Sequence, residues 1–177
     1  MMTRMFDWLW RKTERMASWN AFWVLPIYMI VFTVLFQLFG ANYPEKTFDG
    51  HRSGLQVAEI GPILKNFDEH QQLDRYLMQE TVLDLFYPAI YGLFFAVAIV
   101  RIKPKGWHWL IAIPYAAALF DYCENLTFIA LVLCYRAGHE LSPALAAAAS
   151  VASHLKWFFL LILLPAALAL AFVRRYR

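Results

Sequence analysis

Four ionisable side chains, Asp84, Asp121, Glu124 and Lys156, stand inside stretches of sequence that are otherwise apolar. Placing such a group in hydrocarbon costs a few kcal/mol or more on insertion scales, so its presence marks a functional site by default. Three acids against one base is a poor composition for structural glue. The surplus carboxylate must be protonated, solvated or bound to a cation, and each of those states is usable chemistry. A carboxyl in an apolar bundle can act as acid or base near neutral pH, and a neighbour held ionised by Lys156 can take the opposite role. The expected assignment is Glu124 or Asp121 as general base, with Lys156 orienting it or binding an anionic headgroup. Asp84 is the second carboxylate.

The elements that carry these residues set their depth. Residues 19–40, 81–100, 107–134 and 146–173 are each apolar enough and long enough to cross about 30 Å of hydrocarbon, which takes about 20 helical residues. At about 1.5 Å per residue, Asp84 lies about 24 Å from Val100, Asp121 about 21 Å and Glu124 about 26 Å from Trp107, Lys156 about 26 Å from Val173, and Gln37 about 27 Å from Trp19. All four spans therefore place a polar residue in one third of the hydrocarbon, and no acid or base falls in the opposite half. Rotational phase agrees, because Asp121, Glu124, Asn125 and Phe128 recur at helical spacing on one face. Asp84, Tyr87, Pro88 and Tyr91 do the same on the second span, with Glu80 one turn above. On the fourth span Ser150, Ser153, His154 and Trp157 share a face. Lys156 and His154 stand about 160° apart in helical phase. They cannot both meet one centre, and Lys156 is the costlier to leave in lipid. Asn125, Tyr87, Tyr91, Gln37 and His154 are the expected substrate-binding residues around the four charged ones.

Composition and charge give the architecture. The 177 residues are 61% hydrophobic and 16% charged, well to the apolar side of soluble proteins. The expected fold class is an all-α integral membrane protein, a single four-transmembrane-helix bundle preceded by an amphipathic arm over residues 1–18. Arg4, Arg11, Lys12 and Arg15 precede the first span; Arg101, Lys103 and Lys105 lie between the second and third; Arg174, Arg175 and Arg177 end the chain. With four spans these groups fall on one side, and the positive-inside rule makes that side the cytoplasm of the plasma (inner) membrane. Residues 41–80 and 136–143 are then outside. Gly50, Gly54, Gly61 and Pro62 read as turns in the long outer loop. A helix capped by Asn66 or Asp68 is expected to run into the second span. The alanine run 144–149 reads as close helix packing, with Pro143 at a helix start. Pro26, Pro88, Pro114 and Pro165, one in each span, read as kinks.

Several function classes are excluded. Cys123 and Cys134 lie about 16 Å apart along one helix, too far for a disulfide, and no C-x-x-C is present, so thiol oxidation is out. Both read as inert core thiols. A two-haem cytochrome needs histidine pairs on facing helices, and His154 is the only histidine in the polar layer. A metal variant with Asp84, Asp121, Glu124 and His154 as ligands stays open; a lysine in the same shell weighs mildly against it and no H-E-x-x-H is present, so no metal is assigned and no cofactor is specified. The reading that remains is an intramembrane enzyme acting on a lipid or isoprenoid in the outer leaflet by carboxylate acid–base chemistry. The alternatives are a proton- or cation-coupled transporter or channel working as a homo-oligomer, and a structural or partner-binding subunit. Membrane lipids are the expected partners and nucleic acid is not. The transport reading is weakened by the inner half of the spans, which is uninterrupted Phe, Leu, Ile, Val and Ala.

Overall fold

A computed structural model describes residues 2–44, 47–48, 51, 55–104 and 106–176, with side chains from residue 5 onward. Four helical segments are long and apolar enough to cross a bilayer, as in a multi-pass membrane protein: Trp19–Gly40, Leu73–Ile102, His108–Arg136 and Pro143–Tyr176. The last three exceed the lengths expected from hydropathy because polar turns continue them beyond the apolar stretch. The second starts as α4 (Leu73–Met78), passes through a π-helical segment at Gln79–Leu83 and a turn, and resumes as α5 (Tyr87–Ile102). The third is α6 (Ala112–Arg136), entered through a short 3-10 turn at His108–Ile111. The fourth is α7 (Pro143–Phe158), a second π-helical segment at Phe159–Leu163, and α8 (Leu164–Tyr176). Ser142 caps α7, its hydroxyl accepting from the Leu145 N–H, and Pro143 opens the helix where its missing N–H costs nothing. The buried alanines Ala146, Ala149 and Ala152 give α7 a smooth face.

One end of the bundle is closed by α1 (Met2–Met16). Its Trp10 is buried and stacks on His108 at 4.4 Å, and the Asp7 carboxylate meets the His108 ring at 3.0 Å. Thr13 hydrogen-bonds Tyr115 at 2.8 Å. Arg101 donates to the Ala17 carbonyl and lies 3.5 Å from the Trp19 ring centroid, while Arg174 lies over Trp107. Arg101 and Arg174 thus gather with the arm at this end. Its core is apolar, built from Trp10, Ala96, Ile99, Val100, Leu110, Ile111, Ala167 and Ala171.

The other end carries a cap. Helix α3 (Val57–Glu69) and α4 pack Ile60, Ile63, Leu64, Phe67, Leu73 and Tyr76, with Phe48 and Leu55, onto Phe128, Leu131 and Val132 of α6 and Ala146 and Ala149 of α7. Each large side chain so buried contributes about 1.5–3 kcal/mol, enough to hold the cap as part of the fold. The segment before α3 is tied to α7 twice: the Ser150 hydroxyl donates to the Leu55 carbonyl at 2.6 Å, and the Leu55 N–H donates to the Ser153 hydroxyl at 3.3 Å.

The cap departs from the sequence expectation in a specific way. Helix α3 starts at Val57, with a capping box between Gln56 and Glu59, and runs through Gly61 and Pro62. Pro62 stands inside the helix, in its second turn, where its missing N–H leaves the Ala58 carbonyl without a helical donor, and neither residue marks a turn. Asn66 and Asp68 lie in the last turn rather than at an N-cap, and the helix ends because Gln71 takes a left-handed conformation, φ 57°. Gly50 and Gly54 lie outside the described residues. The cysteines also differ from the expected core thiols, since Cys123 is exposed on the bundle surface and Cys134 is half-buried.

The first span, α2 (Trp19–Gly40), stands apart from the others. None of its residues is buried. It leans on the second span through Phe32 and Phe36 against Tyr87, with ring centroids at 6.1 and 5.4 Å, and Phe22 against Phe94 at 5.9 Å. Arg75 fastens its cap end by donating to the Leu38 carbonyl at 3.0 Å. Elsewhere packing is close: a Cβ added to Gly92 on α5 would meet the Ala118 Cβ at 2.9 Å, so the glycine allows the second and third spans to touch.

Candidate functional site

The site is assembled where two spans lose helical regularity. Pro88 has no N–H, so the Asp84 carbonyl, one turn earlier, loses its helical donor. The Asn125 side-chain amide supplies the missing bond, Nδ2 to the Asp84 carbonyl at 3.0 Å. The next carbonyl, Leu85, accepts from the Tyr122 hydroxyl at 2.9 Å. The motifs Asp84-Leu-Phe-Tyr-Pro88 and Asp121-Tyr-Cys-Glu-Asn125 therefore complete each other, because one helix breaks and the other fills the break. The break follows the π-helical segment Gln79–Leu83, whose wider turn places Gln79, Glu80 and Asp84 all inside the bundle. Lys156 on the fourth span stands just before the other π-helical segment, with Pro165 just beyond it. Such segments recur at functional sites.

Lys156 is 5% exposed and its ammonium is held between two carboxylates of α6, 2.8 Å from Asp121 Oδ1 and 2.6 Å from Glu124 Oε2. Asp121 is 2% and Glu124 0% exposed, so this three-residue ion cluster lies out of reach of solvent screening. The Tyr91 hydroxyl donates to Asp121 Oδ2 at 2.9 Å, orienting that carboxylate from the second span. The Trp157 ring centroid lies 5.5 Å from the ammonium.

Beside this cluster a cavity of about 700 Å³ opens between the first span and the rest of the bundle. Its polar wall is Asp84, Asp121 and Lys156, with Gln79 and Gln37; Tyr87, Tyr91, Phe36, Phe95 and Trp157 supply aromatic walls. Tyr43, Thr47, Gly40 and Ala41 roof it from the cap side. Tyr43 donates to Gln79 Oε1 at 3.2 Å, and burial, with a further push from Glu80 against the pull of Arg75, raises its hydroxyl to about 12. It is a neutral donor throughout the physiological range. The Trp157 indole N–H is buried and has no acceptor among the described residues.

Most of the residues singled out in the sequence converge here. Asp84, Asp121 and Lys156 share the cavity wall, and Tyr87, Tyr91 and Gln37 join them. Glu124 stands behind the wall, where it touches Lys156 and does not line the cavity. Asn125 is likewise behind the wall and bonds the backbone of the second span, an interhelical tie rather than a cavity group. His154 does not join the site: it is exposed, and its ring hydrogen-bonds the Ser150 carbonyl of its own helix at 2.7 Å. The phase argument that turned Lys156 inward turns His154 outward. Among the described residues no three His, Cys, Asp or Glu side chains group as metal ligands. The space between Asp121 and Glu124 that a cation would take is filled by the Lys156 ammonium. Sequence reasoning missed Gln79, Tyr43, Thr47 and Phe36 as lining residues. Gln79 was detectable in principle, as a glutamine one helical turn before the Leu83–Asp84 pair.

No protein-family model matches the chain, and none of the curated proteins or solved structures compared with it is significantly similar.

Proposed function

We propose that this chain is an intramembrane enzyme whose substrate is a lipid or isoprenoid, with carboxylate acid–base chemistry at Asp84 and Asp121. The observation that carries the reading is the cavity: about 700 Å³, within the range of small-molecule sites, with two buried carboxylates and a buried ammonium on one wall and aromatic rings around the remainder. A site for water or ions alone needs no such volume. Lys156 and Tyr91 both engage the Asp121 carboxyl group, and Asp84 is the second group, so the pair can divide the acid and base roles. Glu124 is a positioning residue that fixes the ammonium. The unmatched Trp157 N–H supports a ligand with an acceptor, since buried donors are rarely left without one.

The proposed setting is the plasma membrane with both termini cytoplasmic, because the basic residues gather at the arm end. The cavity then lies in the outer leaflet at the depth where headgroups meet chains, roofed by the cap. Transport is disfavoured by the core between the cavity and the arm end, whose packed residues are apolar apart from the Thr13–Tyr115 hydroxyl pair.

The test is lipid mass spectrometry on membranes of cells producing the wild-type protein, Asp84→Asn or neither, at matched protein levels. At least one lipid species should change with the wild type and stay unchanged with Asp84→Asn. Identical profiles in all three would overturn the proposal.

A further inference from the structure

The cavity wall sorts charge. Its charged residues are Asp84, Asp121 and Lys156, with the buried Glu124 carboxylate directly behind, three acids and one base. The one ammonium is already engaged by Asp121 and Glu124. A phosphate or carboxylate headgroup entering the cavity would lie against Asp84 and Asp121 and compete with Asp121 and Glu124 for the Lys156 ammonium. In a low dielectric such like-charge contacts are strongly unfavourable. A cation meets the reverse: carboxylates on one side and the rings of Phe36, Tyr87, Tyr91 and Trp157 on the others. Lys156 shows that this environment holds an ammonium, since its Nζ sits between carboxylates and 5.5 Å from an indole centroid.

A second feature continues the first. A groove of about 360 Å³ runs along the seam between the first and second spans, with Pro26, Ile30, Val34 and Phe94 on its walls. Met29, Thr33, Gln37 and Tyr87 line both this groove and the polar cavity, so the two meet at a shared wall. The groove is apolar apart from Thr33, Gln37 and the Tyr87 hydroxyl. It follows a helix none of whose residues is buried, which makes it a place for a hydrocarbon chain reaching the cavity from the bilayer.

We propose that the cavity takes a membrane-dissolved amphiphile whose headgroup bears a protonated or quaternary ammonium, its tail lying along the seam between Trp19–Gly40 and Tyr87–Ile102. This rests on reading the cavity as a lipid site and names the headgroup that site selects. Phosphate-only headgroups are disfavoured by Asp84 and Asp121 on the wall and Glu124 behind it, and neutral ones bind more weakly than an ammonium because they gain no charge attraction to the carboxylates or ring faces.

The experiment uses the full chain in nanodiscs of zwitterionic lipid and three probes with the same brominated alkyl chain, ending in trimethylammonium, maltoside or phosphate. Binding is read as quenching of Trp157 fluorescence, with Trp157→Phe as the blank. The ammonium probe should bind about tenfold or more tightly than the phosphate probe, with the maltoside between them. Asp84→Asn should narrow that gap. Gln37→Lys, on the exposed first span where folding is least at risk, should abolish it. Equal binding of the three, or tighter binding of phosphate, overturns the headgroup inference and leaves the lipid site standing. Quenching by none of the three overturns both.

Discussion

Replacing Lys156 with Met keeps most of the side chain's volume and removes its charge, which leaves Asp121 and Glu124 facing each other without the ammonium that bridges them at 2.8 and 2.6 Å. Both acids are essentially inaccessible, at 2% and 0% exposure. Removing one partner of a buried ion pair costs about 3–5 kcal/mol, because it leaves an uncompensated buried charge. For a chain of this size each kcal/mol lowers Tm by about 2–4 °C, so Lys156→Met should unfold roughly 6–20 °C below the wild type in a mild detergent. Glu124→Gln is a gentler change. Lys156 keeps Asp121, the cluster becomes a one-to-one pair, and the amide retains size and hydrogen-bonding capacity. Its cost should stay below about 2 kcal/mol. If Glu124 also positions the ammonium for chemistry, turnover in Glu124→Gln should fall by about a hundredfold or more, the scale of a disrupted acid–base site. The ranking is the test, read by thermal unfolding followed through tryptophan fluorescence. Wild-type stability for Lys156→Met, or a larger loss for Glu124→Gln than for Lys156→Met, would refute the bridged arrangement.

Three further outcomes follow from the geometry. Asn125→Leu removes the donor to the Asp84 carbonyl and should cost about 0.6–2 kcal/mol; adding Pro88→Ala restores a backbone N–H to that carbonyl, so the double mutant should recover stability relative to Asn125→Leu, and independent, additive losses would contradict the pairing. Gly92→Ala places a Cβ 2.9 Å from that of Ala118 and should destabilise by about 1–3 kcal/mol through forced separation of the second and third spans, whereas Gly106→Ala, in open space, suffers only from its φ of +70°; unfolding midpoints of the two variants separate the effects. Reporter fusions at Pro104 and at the C-terminus should read cytoplasmic and one near Gly50 external, and a cytoplasmic reading near Gly50 would overturn the four-span orientation.

Much of the candidate site was legible in the sequence because membrane helices constrain few variables. Rise per residue fixed the common depth of Asp84, Asp121, Glu124 and Lys156, and helical phase separated Lys156 from His154. What escaped depends on partners or on backbone irregularity that leaves no compositional mark. The π-helical segments Gln79–Leu83 and Phe159–Leu163 read as ordinary helix, yet one brings Gln79 and Asp84 inward together and the other interrupts the fourth span next to Lys156. Asn125 looked like a cavity group because its face is right; its partner, the Asp84 carbonyl, exists only because Pro88 stands one turn later on another helix. Helix α3 was hidden by Gly61 and Pro62, which usually punctuate helices and here sit inside one whose apolar face is held by the cap core. The peripheral placement of the first span has no signature in its hydropathy, 2.1 against 1.9, 1.5 and 2.3 for the others. Its looseness is nonetheless what opens the cavity.

Whether the cavity holds a lipid is read in a crystal structure of the protein grown from a lipidic mesophase. Elongated density is expected, with its head against Asp84, Asp121 and Lys156 and its tail between Trp19–Gly40 and Tyr87–Ile102. A structure in which the first span closes onto Trp157 and Leu160, leaving no space beside Asp84, would contradict it.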